Sequence, residues 1–200
     1  MTVEALTRAS AISDAVAELA TEVARSVVLV RGAMGSAGSG VIWDQPGLVI
    51  TNHHVVPGAT AELALHDGRR LAARVIRRAP ALDLAALEVA GPLPQGTRVG
   101  DSDALRVGGL VLAVGNPMGE RNAPSLGIVA SSARDVLRLS ITLRPGNSGG
   151  ALVNARGEVV GIPHMVTGNG LALAVSSRTV REFLSGAALE PDSTDGLHWV

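Results

Sequence analysis

The sequence predicts an all-β protein: two six-stranded antiparallel β-barrels in one chain, with one helix before them and one after. Three observations predict it. From Val27 onward about twelve short apolar runs follow one another, each bounded by Gly, Pro, Asp or Asn, which is the pattern of a barrel or sandwich. No helical stretch separates them, which argues against alternating β and α units. The runs also fall into two sets of about six, divided by the turn-rich stretches GPLPQG (91–96) and GDSDALRVGG (100–109).

The elements follow in order. Residues 10–25 read as a helix, because Ile12, Val16, Leu19 and Val23 form one apolar stripe. That stripe can pack on the body of the protein or on another subunit. The first six strands are VVLVR (27–31), GVIW (40–43), GLVIT (47–51), AELAL (61–65), RLAARV (70–75) and LAALEV (84–89). The second six are GLVLAVG (109–115), GIVAS (127–131), LRLSIT (137–142), ALVN (151–154), EVVGI (158–162) and LALAV (171–175). A closing helix is capped by Ser176 or Ser177, carries Val180, Phe183 and Leu184 on one face, and ends at Gly186. The expected division is a helical segment over 1–25, a first barrel over 26–97, a second barrel with its helix over 98–186, and a flexible tail over 187–200.

Composition removes several classes of function. The chain has 200 residues, is 46% apolar and carries a net charge of −1, so it can bury a core and is neither disordered nor a general nucleic-acid binder. The cluster Arg69, Arg70, Arg74, Arg77 and Arg78 reads as the solvated rim of a hairpin. There is no cysteine, which excludes disulfides and thiolate chemistry. No apolar run approaches the ~20 residues of a membrane helix, so no membrane partner is expected. Glu4, Asp14, Glu18 and Glu22 make the N-terminus unlike a signal peptide, and a cytoplasmic location is expected. With one Phe, two Trp and no Tyr, the core must be built from Val, Leu, Ile and Ala, and no aromatic platform for stacking bases is available.

The chemistry concentrates in PGNSGGALVN, Pro145 to Asn154. A Ser between glycines suits a nucleophile, because small neighbours let a carbonyl approach and let the backbone take a strained turn. Successive N–H groups of such a turn can hold an oxyanion. An ordinary Gly-rich hairpin is the alternative. A nucleophilic Ser needs a base, and the base an orienting carboxylate. TNHHVV (51–56) offers His53 and His54. In an extended chain adjacent side chains diverge, so one of the two faces the site. PALDLAALEV offers Asp83, a lone acid in an apolar stretch that needs a specific partner if buried; a turn or cap aspartate at a strand start is the other reading. The order His54, Asp83, Ser148 is a known chain order of the Ser-His-Asp triad, and would place the site in the cleft between the barrels.

These segments resemble the trypsin-like protease domain of the HtrA/DegP family. GSGVIWDQPGLVITNHHVV, LDLAALEV, AVGNPMG, LGIVAS, RPGNSGGALVN, EVVGI and LALAVSSRTVREFL occur in the family's order over roughly residues 25–185. The family's T-N-x-H-V-V motif implies that His54 is the catalytic histidine and His53 the variable position. D-L-A implies Asp83 as the orienting acid, and G-N-S-G-G implies Ser148 as the nucleophile. The Gly146 and Ser148 amides would form the oxyanion hole, with Asn147 shaping the loop. The reaction implied is peptide hydrolysis through an acyl-enzyme, on unfolded or damaged proteins, with no metal and no cofactor.

Some positions depart from the family. Ser140 stands where members often carry Asp, Arg144 where they carry Asn, Ala151 where Pro is common, and Pro163 where Asn is usual. Thr142 and Ile162 are expected to line the substrate pocket. With no acid there, cleavage after small or medium aliphatic residues is expected. The family's PDZ domains are expected to be missing, and the N-terminal helix is a candidate seat for a homo-trimer. A nucleophile elbow of the α/β-hydrolase kind would need Asp192 and His198, which lie in the tail. A metal site at the paired histidines lacks supporting spacing, and GAMGSAGSG (32–40) lacks the Lys of a phosphate loop. The reading from a different class is a protease fold with a dormant triad, used for binding or as a chaperone.

Overall fold

A computed structural model describes residues 3–167 and 170–186. It contains helix α1 (Val3–Ala24), then strands β1 (Val27–Arg31), β2 (Ala37–Ile42), β3 (Leu48–Thr51), β4 (Thr60–Ala64), β5 (Arg70–Ala79) and β6 (Leu84–Val89). Strands β7 (Leu110–Gly115), β8 (Ala123–Ser132), β9 (Val136–Ser140), β10 (Ala151–Asn154), β11 (Val159–Val166) and β12 (Ala172–Ser176) follow, and α2 (Ser177–Ser185) closes the chain. Every predicted strand is present. They form two closed antiparallel barrels in the orders β1-β2-β3-β6-β5-β4 and β10-β11-β12-β9-β8-β7. The tail over 187–200 lies outside the described residues.

Three apolar cores result, one inside each barrel and one between them. Alternation along the strands makes all three at once. On β6, Ala85, Leu87 and Val89 point into the first barrel, while Leu84 and Ala86 point to the core between barrels. On β10, Leu152 fills the second barrel, and Ala151 and Val153 face the first. This explains why LAAL (84–87) and ALV (151–153) are continuous apolar runs: a stretch buried on both faces has no polar side. α1 and α2 close the shared core with Val23, Ala24, Val180 and Phe183.

The helices obey their sequence signals. Ser176 caps α2, its side chain accepting from the Thr179 N–H at 3.1 Å, and Gly186 ends it in the left-handed region at φ 82°. α1 begins earlier than expected, at Val3 rather than near residue 10. Its stripe packs on the body through Val16, Leu19 and Val23, while Ile12 stays 61% exposed. The arginine cluster is a rim, as expected. Arg69 pairs with Asp67, Arg70 with Glu62 and Arg74 with Glu88. Arg77 lies over the Phe183 ring at 5.6 Å, and Arg78 turns to the backbone near His53.

Several strands run further than their apolar patterns: β2 begins at Ala37, before the predicted 40, and β5 continues past the predicted 75 to Ala79. β8 starts at Ala123, before the predicted 127, and β11 continues past Pro163 to Val166. The β11 extension passes through a register shift between Pro163 and Met165, which pair with Ala174 and Leu173. A bulge accommodates a proline that an unbroken ladder would exclude.

Candidate active site

β3 ends at Thr51, and the chain enters a one-turn 3-10 helix, His53–Val55. The paired histidines therefore sit in a turn, not in extended chain. Successive side chains there are rotated by roughly 120°, and the two still part company. His54 Nδ1 lies 2.7 Å from Asp83 Oδ2. His53 Nδ1 instead meets the Arg78 guanidinium at 3.0 Å.

Asp83 is the left-handed residue (φ 52°, ψ 41°) that ends the short Pro80–Leu82 helix just before β6. It is thus both a turn aspartate and the partner of His54. Asp tolerates this conformation better than most residues. The turn places all its oxygens on the histidine segment. Oδ1 accepts from the His54 N–H at 3.0 Å. The backbone carbonyl accepts from the His53 N–H at 3.1 Å and from the buried Asn52 amide at 2.8 Å. Burial alone would favour the neutral acid. The His164 ring, the His54 ring and the His54 N–H outweigh it and hold the carboxyl far below the usual carboxylate range. An ionised carboxylate only accepts, so His54 Nδ1 carries a proton, which in the neutral imidazole leaves the lone pair on Nε2.

Ser148 comes from the second barrel, in the loop between β9 and β10. Its hydroxyl lies 3.4 Å from the His164 carbonyl on β11. The loop is pinned from the first barrel by Ser39, fully buried on β2. The Ser39 N–H donates to the Ser148 carbonyl at 2.8 Å, and its hydroxyl donates to the Gly146 carbonyl at 2.7 Å. The same hydroxyl accepts from Asn116 N at 2.8 Å and Nδ2 at 3.1 Å. Within the loop the Asn147 N–H donates to Arg144, Gly149 to Pro163 and Gly150 to Asn147. Among the described residues this leaves the Gly146 and Ser148 amides uncommitted. Gly146 has φ 101°, and a Cβ there would lie 2.5 Å from the Asn116 carbonyl, so this shape requires glycine.

Beside Ser148 lies a cleft of about 360 Å³ lined by Leu143, Arg144, Pro145, Asn147, Ser148, His164 and Val166. The two expected pocket residues, Thr142 and Ile162, are not among those that line this cleft. Thr142 is exposed outside the cleft, and its carbonyl is taken by the Ser125 hydroxyl at 2.6 Å. Ile162 is fully buried in the core between barrels; alternation alone would give it the face of His164 two residues on, but the register shift between Pro163 and Met165 breaks the alternation between them. Sequence reasoning missed Ser39, Asn116 and His164. A hydroxyl between glycines (GSG) in a strand of apolar neighbours was the available signal for Ser39. Among the described residues no group of three or more His, Asp or Glu side chains is placed to hold a metal ion.

A family model described as a trypsin-like peptidase domain matches residues 38–162. The periplasmic serine endoprotease DegP of Escherichia coli (strain K12) is 37% identical over 165 residues, covering 74% of this chain and 35% of DegP. The putative serine protease HhoA of Synechocystis sp. is 35% identical over 183 residues, covering 80% of this chain and 46% of HhoA. The solved structure of the HtrA-type protease AlgW with a tripeptide superposes with a TM-score of 0.79 at 30% identity, covering 85% of this chain and 62% of that one. The chain thus spans less than half the length of these two curated relatives.

Proposed function

The chain belongs to the trypsin-like peptidase family, and from that premise we propose that it is a serine endopeptidase of the HtrA type, cleaving polypeptides through an acyl-enzyme. One observation carries the proposal: the Asp83 carboxylate grips one nitrogen of the half-exposed His54 imidazole at 2.7 Å, and His164 of the other barrel meets both that carboxylate, at 3.7 Å, and the Ser148 hydroxyl, at 3.4 Å.

In this reading His54 Nε2 takes the Ser148 proton as the hydroxyl attacks the scissile carbonyl. Asp83 keeps the tautomer and stabilises the imidazolium. The Gly146 and Ser148 amides receive the oxyanion, and one such donor contributes roughly 3 kcal/mol. His54 then protonates the leaving amine, and water repeats the sequence on the acyl-enzyme. Each step uses groups of this chain alone.

The substrates are extended, unfolded polypeptides, consistent with relatives described as endoproteases and with AlgW structures that hold a tripeptide and a decapeptide. Among the described residues, none that lines the cleft beside Ser148 carries a carboxylate; Leu143, Pro145 and Val166 give it an apolar wall. Cleavage after small or medium aliphatic residues is the proposed preference. Peptides differing only at that residue test it, and fastest turnover at Arg or Lys would sink it. Self-association through α1, with Ile12 exposed on it, is proposed alongside; light scattering on the purified chain reads it directly.

The decisive experiment treats the folded protein with a fluorophosphonate probe and reads intact mass, with Ser148→Ala as control. One adduct, lost in the control, is expected. No adduct, even with an unfolded protein substrate present, would favour the dormant reading.

A further inference from the structure

A second histidine touches the proposed triad from the opposite barrel. His164 lies on β11, its side chain only 1% exposed, with Nδ1 3.7 Å from Asp83 Oδ2. That is the same oxygen that His54 Nδ1 meets at 2.7 Å. The separation exceeds a hydrogen bond and lies well within range of a charge–dipole or ion-pair attraction. One carboxylate oxygen therefore faces two imidazoles, one from each barrel.

The backbone is shaped to put it there. Pro163 pairs with Ala174 and Met165 with Leu173, so His164 is the extra residue of a bulge. Bulges re-aim side chains beside sites. Two residues of the bulge also serve the nucleophile: the Pro163 carbonyl receives the Gly149 N–H at 2.9 Å, and the His164 carbonyl faces the Ser148 hydroxyl at 3.4 Å. His164 thus touches the nucleophile through its backbone and the acid through its ring.

We propose that His164 is a positioning residue of the triad, a second imidazole on Asp83 that holds the carboxylate in the rotamer serving His54. The inference rests on the serine-protease reading. Asp83 stands in a left-handed turn with Oδ1 fixed by the His54 N–H, and the His164 ring bounds Oδ2 on its open side. The Nδ1–H of His164 also draws charge from the oxygen that must stabilise the His54 imidazolium. Among the described residues, Asp83 of the first barrel faces the ring, His54 shares that carboxylate, and Arg144 lines the same cleft as His164. His53 is turned away onto Arg78.

The test compares wild type, His164→Leu, His164→Asn and His164→Gln by fluorophosphonate labelling rate and peptide kcat and KM across pH. Leu keeps bulk and removes the donor; the Asn amide can stand near the Nδ1 position, and the Gln amide reaches past it. Expected for Leu is a kcat loss of roughly tenfold to a hundredfold with little change in KM. Its acid limb should move to higher pH by roughly half a unit or more, because Asp83 then serves one imidazole. Asn restores most of the rate and the limb, and Gln does not. If the Leu variant fails to fold, the Asn and Gln variants decide between themselves. A wild type that labels while all variants match it, or while Asn and Gln fall equally with an unmoved limb, overturns the inference and spares the protease reading. A wild type that never labels overturns both.

Discussion

Replacing Ser39 with Ala tests whether the first barrel holds the oxyanion loop of the second. The hydroxyl has three contacts: it donates to the Gly146 carbonyl and accepts from Asn116 N and Nδ2. Asn116 Nδ2 keeps a second partner, the Val28 carbonyl at 3.1 Å, so two groups are orphaned in Ser39→Ala. A buried polar group left unsatisfied costs about 1–3 kcal/mol. Gly146 is half-buried, so water can reach its carbonyl and about 1 kcal/mol applies. Asn116 is 3% exposed, and its N–H takes about 2 kcal/mol. The expected destabilisation is about 3 kcal/mol, or a fall in the urea midpoint of roughly 1–2 M at a typical slope. Activity should fall separately. The loop loses its anchor at the peptide between Gly146 and Asn147, so the oxyanion donors are no longer preorganised. Labelling of Ser148 should slow by roughly tenfold to a hundredfold, short of the loss from deleting a donor outright. Urea melts and labelling rates on the same preparation check both parts. A destabilisation below about 0.5 kcal/mol with labelling at the wild-type rate would refute the coupling.

Three further outcomes follow from the same geometry. Gly149→Ala puts a Cβ 2.2 Å from the Ser39 carbonyl and 2.4 Å from Thr51 Oγ1, at φ 82°, so the barrels must separate; a loss above about 3 kcal/mol and no labelling are expected, and a stable, labelled variant would contradict it. The Asp83 carboxyl titrates below its unfolded value, so the unfolded chain binds more protons in acid. Its contribution is complete above the ordinary carboxylate range of about pH 4 and is lost as pH falls toward the folded value. The stability advantage of wild type over Asp83→Asn, read by urea melts, should therefore be flat near neutrality and shrink below about pH 4; a difference that stays flat down to pH 3 would oppose it. Ser176→Ala removes the α2 cap and a bond to the Arg134 carbonyl at 2.8 Å, so the protein should lose about 1–2 kcal/mol in a thermal or urea melt while labelling kinetics stay unchanged.

The fold was legible because nearly every strand is short, apolar and closed by a turn residue. The continuous runs of β6 and β10 were readable as strands but not as strands serving two cores, since periodicity disappears when both faces are buried. The His54, Asp83 and Ser148 motifs were legible as local sequence. The reason His53 and His54 part was not: the chain turns there, and a turn of that kind leaves no mark in TNHHVV beyond its histidines. The lining of the cleft beside Ser148 was illegible for a related reason. Thr142 and Ile162 were placed by likeness to the family, while the cleft wall is built by Leu143, Pro145 and Val166, whose exposure depends on where β9 ends and how the Ser148 loop folds back.

Pro163 links two of the misreadings. A proline after an apolar run reads as a strand end, and the predicted strand EVVGI stops at Ile162, short of His164. A bulge keeps the strand going, and that same bulge is what turns the His164 ring onto Asp83. The departure from the family at Pro163 and the second imidazole on the acid are thus one feature. If so, restoring a ladder-compatible residue should disturb both. Pro163→Asn regains an N–H but loosens the fixed φ that seats the bulge. Should the bulge shift, the Leu173 and Ala174 pairing would move by one residue and the side chain at 164 would change faces. The labelling rate of Pro163→Asn would then fall toward that of His164→Leu, and adding His164→Leu to it would cost little more. Independent, additive losses in the double variant would mean that the proline and the histidine act separately.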